Sequence, residues 1–142
     1  TDTLDPALRD QVVQGWMEAE AYRLQTLQTV TDDAEGRSAG AASSFVKLWW
    51  SELDVKLHET ALDILGPEAM VPEGEVSGSS LQAFSGGELS SAAAVYSFLG
   101  ARPGTIYAGT SQVQRNIIGE RVLGLPKEPR ADAGPWNETN RG

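Results

Sequence analysis

Cysteine is absent from the 142 residues. That removes disulfides, thiolate metal sites and cysteine nucleophiles together. Histidine occurs once, as His58, so an imidazole-based metal cage has no ligand set. No apolar run is long enough to span a bilayer as a helix, and no membrane role is expected. The opening Thr1-Asp2-Thr3-Leu4-Asp5 has neither the basic nor the apolar region of a signal peptide. It also lacks an initiator Met, which implies that something upstream was removed. Positive charge is scarce and scattered: 11 basic against 20 acidic residues give a formal charge of −9. A nucleic-acid backbone would be repelled, so no such partner is expected. An acidic balance of this kind favours solubility and is ordinary for a cytoplasmic protein, the expected location. Strand-like alternation is nearly missing as well.

What remains is helical. Asp5-Pro6 starts the first helix: Asp5 can cap orphan amides and Pro6 suits the first helical position. Leu8, Val12, Trp16 and Ala19 then share one face, and Leu24 and Leu27 follow with a small phase shift. Thr31 to Ala42, rich in Gly, Ala and Ser, reads as a loop. The second helix carries the clearest period: Val46, Trp50, Leu53, Leu57, Ala61 and Ile64, spaced 4, 3, 4, 4 and 3. Phe45, Leu48 and Trp49 widen its apolar stripe. Gly66-Pro67 ends it.

A polar loop at about 67–88, with several glycines, interrupts the pattern. A shorter helix follows, with Leu89, Ala92, Ala93, Tyr96 and Leu99 on one side, and Gly100 to Gly104 breaks it. The last helix begins near Thr110-Ser111, where Ser111 and Gln114 have capping-box spacing. Val113, Ile117 and Val122 form its apolar face, and Gly124 with Pro126 stops it. The expectation is an all-α, up-and-down helical bundle over residues 1–130 with a flexible tail over 131–142.

Chemistry-bearing candidates are few. His58 sits mid-helix beside Glu59 and reads as a surface or boundary residue. Glu52, Asp54, Glu59 and Asp63 read as a solvated helix face. Trp49-Trp50 reads as a core or interface pair, with an aromatic platform the alternative. No metal site is expected. The stretch Gly104-Thr105-Ile106-Tyr107-Ala108-Gly109-Thr110-Ser111 is more pointed. It places small, backbone-exposing residues just before a helix start, where free amides attract phosphate and Gly109 lets a ligand approach closely. A capped turn without a ligand is the other reading of the same residues.

The segment Arg102 to Pro126, with Tyr107-Ala108-Gly109-Thr110-Ser111-Gln112-Val113-Gln114-Arg115 at its centre and Leu123-Gly124-Leu125-Pro126 at its end, resembles the C-terminal signature of acyl-CoA dehydrogenases. In that family the pattern is Tyr-x-Gly-Thr-x-x-Ile-x-Arg. Ser44-Phe45-Val46-Lys47-Leu48-Trp49-Trp50-Ser51-Glu52-Leu53 resembles the preceding long helix, and the likeness to the bacterial branch runs from about Asp5 to Arg130. The resemblance implies FAD as cofactor and an acyl-CoA thioester as substrate, desaturated between its α and β carbons. It implies a homo- or hetero-oligomer formed through helical faces. Thr110, Ser111 and Gln112 match the stretch that touches FAD, and Gly109 matches a glycine of the acyl-CoA pocket.

Two departures stand out against the family pattern. Many members carry the catalytic Glu where this chain has Ala108, which has no proton chemistry; others place the Glu on an earlier helix, upstream of Thr1. The family's Gln-x-x-Gly-Gly beside the FAD diphosphate aligns with Asp63-Ile64-Leu65-Gly66-Pro67, where an acid replaces an amide and Pro67 lacks an N–H. Three readings follow: the C-terminal domain of a working dehydrogenase that is inactive alone, a non-catalytic subunit of a heteromeric one, and a helical assembly module without ligand.

Overall fold

A computed structural model describes residues 4–37, 40, 43–74 and 90–127. The expected flexible tail at 131–142, Leu89, and most of the expected 67–88 loop lie outside these residues. Among the described residues there are four α-helices and no strand: α1 (Pro6–Ala34), α2 (Ser43–Leu65), α3 (Ser91–Ala101) and α4 (Ser111–Ile117). Short 3₁₀ turns over Gly66–Met70 and Arg102–Thr105 follow α2 and α3, and a wider π-type turn over Ile118–Val122 extends α4.

α1 begins as its sequence dictates. The Asp5 carboxylate accepts from the Ala7 amide at 2.8 Å, and Pro6 occupies the first position. Its far end corrects the sequence reading, which placed a loop from Thr31. The helix runs on to Ala34 because Thr31 Oγ1 donates back to the Leu27 carbonyl and the Gln28 amide donates to Asp32. It then stops at Gly36, at φ 76°. There the Arg37 amide reaches the Asp32 carbonyl and the Gly36 amide the Asp33 carbonyl, the paired bonds of a glycine-terminated helix.

α2 is the spine, packing against each of the other three helices. α1 crosses it antiparallel: Gly15 lies against Leu57, Glu18 pairs with Lys56, and Tyr22 meets Trp49 edge-on at 5.7 Å. α3 runs back along α2, since the chain before it at Glu73 bonds Ser91 while Arg102, just after it, pairs with Glu59. α4 turns again, with Gly109 beside Lys47 and Arg115 beside Glu52. The order is up-and-down, as expected.

The packing face of α1 differs from the face its apolar residues suggested. Trp16 is 68 % exposed and Val12 is exposed too, whereas Gly15 is buried. A glycine lets the two helices approach so closely that an added Cβ would stand 2.7 Å from the Leu57 side chain.

The interior is built from small and polar side chains. Leu53 and Ala101 are the buried apolar residues, and Ser51, Ser97, Thr60, His58 and Gln114 are buried beside them. Ser51 and Thr60 return their hydroxyls to the carbonyls of Leu48 and Lys56, so burial strands neither group. Large apolar side chains instead lie outside, among them Met17, Leu24, Leu27, Val30, Leu99, Ile106 and Leu123.

Candidate functional site

The segment singled out by the sequence forms one structure. After α3 the 3₁₀ turn Arg102–Thr105 brings the chain against α2, where a Cβ added at Gly104 would lie 3.7 Å from the Trp50 ring. The rings of Trp50 and Tyr107 sit 6.3 Å apart. Two ion pairs hold the flanks, Arg102 to Glu59 and Arg115 to Glu52, and Arg102 also stacks over Phe98. Glu52 and Glu59, expected to be a solvated face, are exposed and at the same time fasten this segment. The Trp49-Trp50 pair divides: Trp49 joins Tyr22 and Phe45, while Trp50 faces Tyr107 and Gly104.

Ala108 and Gly109 both take positive φ, 55° and 96°. For alanine this left-handed conformation costs about 1–2 kcal/mol. It is held from both sides. Gln114 Nε2 donates to the Ala108 carbonyl at 2.8 Å, and Lys47 Nζ donates to the Gly109 carbonyl at 2.8 Å. A side chain at Gly109 is disfavoured, because its φ is positive and a Cβ there would lie 2.6 Å from Gln114 Nε2, which would have to shift.

Thr110 caps α4 by accepting from the Val113 amide at 3.3 Å. The sequence had put the cap at Ser111, one residue on, with Gln114 reaching back in a capping box. Gln114 bonds Ala108 instead, because the left-handed turn presents that carbonyl to it.

The consequence is a row of donors. The Tyr107 amide bonds Pro103 and the Val113 amide bonds Thr110, but between them the five amides of residues 108–112 have no hydrogen-bond partner among the described residues. Ser111 is buried, Thr110 half-buried and Gln112 exposed, so the predicted residues Gly109, Thr110, Ser111 and Gln112 stand together but present unequal surface. Lys47 donates to the Gly109 carbonyl and has no carboxylate partner among the described residues. Five amides without a partner among the described residues, with the Lys47 ammonium at the Gly109 carbonyl, suit an acceptor-rich or anionic group. Sequence reasoning missed Lys47 and Gln114. Neither carries a local signal, since Lys47 acts on a residue 62 positions away.

The other expectations are placed as follows. Asp63 is exposed near the end of α2, and Pro67 lies in the 3₁₀ turn after Gly66, whose φ is 58°. His58 is buried rather than on the surface, with Nδ1 2.7 Å from the Asp54 carbonyl. Among the described residues no three His, Cys, Asp or Glu side chains gather as a metal site would need. An open depression of about 520 Å³ lined by Pro67, Glu68, Val71, Glu73 and Ser91 includes none of Gly109, Thr110, Ser111 and Gln112.

Residues 4–123 match the family model described as acyl-CoA dehydrogenase, C-terminal domain. The chain belongs to the acyl-CoA dehydrogenase family. It is similar to acyl-CoA dehydrogenase IpdE1 of Mycolicibacterium smegmatis, 35 % identical over 124 residues, which cover 87 % of this chain and 27 % of that protein. It is also similar to acyl-CoA dehydrogenase IpdE1 of Mycobacterium tuberculosis, 32 % identical over 127 residues, covering 89 % of this chain and 29 % of that one. The chain therefore spans less than a third of the length of these relatives. No solved structure matches it. The all-α architecture is that of the family's C-terminal domain, and no helix of the described residues is long and apolar enough to cross a membrane.

Proposed function

We propose that this chain is the FAD-contacting and oligomerising C-terminal domain of an acyl-CoA dehydrogenase, inactive when isolated. The observation that carries the reading is the row of five amides at residues 108–112, beside Lys47, in the segment that resembles the family's C-terminal signature and lies within the matched residues 4–123. Thr110, Ser111 and Gln112 would hold FAD, and Gly109, with no side chain to block approach, would border the acyl-CoA. The flavin supplies the hydride acceptor for desaturation. What this chain contributes is donors and shape. Ala108 holds no proton to exchange, so this position does not supply the base, which in this reading stands elsewhere in the enzyme. Acyl-CoA is the proposed substrate, and a cytoplasmic location accompanies the reading.

Ala108 also favours a second reading, in which the chain serves a heteromeric dehydrogenase as a non-catalytic subunit or assembly module. The two readings separate in one experiment. The flavoprotein that carries this chain is purified and titrated with saturated acyl-CoA under anaerobic conditions. The first reading expects flavin to be bound and reduced by that polypeptide with no other chain present. Reduction only after a second chain is added selects the subunit reading. Flavin absent under both conditions overturns both.

A further inference from the structure

The peptide groups on either side of Gly109 are held by two side chains from different helices. Gln114, on α4, bonds the Ala108 carbonyl, and Lys47, on α2, bonds the Gly109 carbonyl, each at 2.8 Å. A trans peptide is planar, with its N–H opposite its C=O. No peptide bond here is cis. Fixing the Ala108 carbonyl therefore fixes the Gly109 N–H in the reverse direction, and fixing the Gly109 carbonyl does the same for the Thr110 N–H. Both of these amides belong to the row that has no partner among the described residues.

The two holders differ in kind. Gln114 is local, six residues from its acceptor, and moves with α4. Lys47 belongs to the spine helix, so its bond ties the turn to the rest of the fold. A bond from an ammonium is stronger than one between neutral groups. The neighbouring cations Arg102 and Arg115 are engaged with carboxylates, whereas Lys47 reaches a main-chain oxygen.

We infer that Lys47, assisted by Gln114, is a positioning residue that aims the Gly109 and Thr110 amides at the ligand of this site. The inference rests on the functional reading above and adds to it the group that sets the direction of its donors. Lys47 does not touch the reacting atoms; it acts through the peptide it holds.

Lys47→Met keeps most of the side-chain volume and removes the donor. Lys47→Arg keeps a charged donor of similar reach. In the 142-residue chain alone, Lys47→Met is expected to move the Gly109 and Thr110 amide resonances and raise their local disorder. Lys47→Arg should restore them, and helix content should stay the same in both. In the flavin-loaded holoenzyme, Lys47→Met is expected to lower kcat/KM for acyl-CoA by about 10²-fold, the usual consequence of misplacing a reacting group by about 1 Å. Lys47→Arg should recover at least about tenfold of that loss, a rescue that a space-filling role would not give.

Unchanged Gly109 and Thr110 resonances in Lys47→Met would overturn the inference, as would a holoenzyme variant as active as its parent. A holoenzyme that holds no flavin before any substitution would sink the functional reading instead, and the resonances of the isolated chain would still decide whether Lys47 orients the turn.

Discussion

At Gly109 two constraints coincide: a φ of 96° that side chains avoid, and a Gln114 amide nitrogen 2.6 Å from where a Cβ would stand. Gly109→Ala meets both, and it displaces Gln114 from the Ala108 carbonyl. A loss of about 1–3 kcal/mol is expected, read as a lower urea midpoint at constant slope. An unchanged midpoint would mean that the turn is not held as described. Ala108→Gly should be close to neutral. Relief of about 1–2 kcal/mol of left-handed strain is only partly offset by about 0.4–1 kcal/mol of extra unfolded-state freedom, so any net change should be a small stabilisation. Gly15 offers a test at the contact between α1 and α2. Gly15→Leu forces a large side chain into the contact with Leu57 and should cost about 1–3 kcal/mol through overpacking. A variant as stable as the parent would show that α1 does not cross α2 at this point.

Among the elements, the end of α1 has a titratable component. The Arg37 guanidinium, and after it the Gln28 amide, hold the Asp32 carboxyl below its ordinary value of 3.8. A depressed carboxylate contributes stability above its unfolded value and loses it as pH falls through the folded one. The last turn of α1 should therefore loosen only in acid below about 3.8, read from the carbon shifts of residues 31–34. Because the pair is exposed, salt at neutral pH should weaken the same contact. Shifts that stay constant into strong acid would remove the Arg37 contact from the account. The same helix shows what its sequence could and could not tell. Its start was legible, since Asp5 and Pro6 act locally. Its contact face was not: Gly15, Glu18 and Tyr22 pack on α2 through smallness, charge and an aromatic edge, while apolarity alone pointed to Val12 and Trp16. α2 was legible because its stripe of Val46, Trp50, Leu53 and Leu57 is unbroken. At the candidate site the amide row follows from small residues before a helix and could be read. Lys47 and Gln114 could not, because their bonds depend on how α2 and a left-handed turn meet.

At the scale of the whole molecule, more large apolar side chains are exposed among the described residues than the small-residue interior encloses. Trp16, Met17, Leu24, Leu27 and Val30 lie exposed along α1, and Leu99, Ile106 and Leu123 lie exposed elsewhere. Surfaces of this kind mark contacts with other protein. The isolated chain is expected to self-associate as concentration rises, and Trp16→Glu should shift that equilibrium toward monomer in sedimentation. A strictly monomeric parent at high concentration would contradict the expectation. Oligomerisation and flavin contact are the two roles proposed for the domain, and the second is central. The most direct test is the visible absorbance of the purified holoenzyme carrying this chain, compared with that of a Gly109→Ala, Thr110→Ala double variant. The account predicts bound flavin in the parent that acyl-CoA bleaches, and flavin lost or held several-fold more weakly in the variant. A folded variant that keeps its flavin and bleaches as the parent does would contradict it.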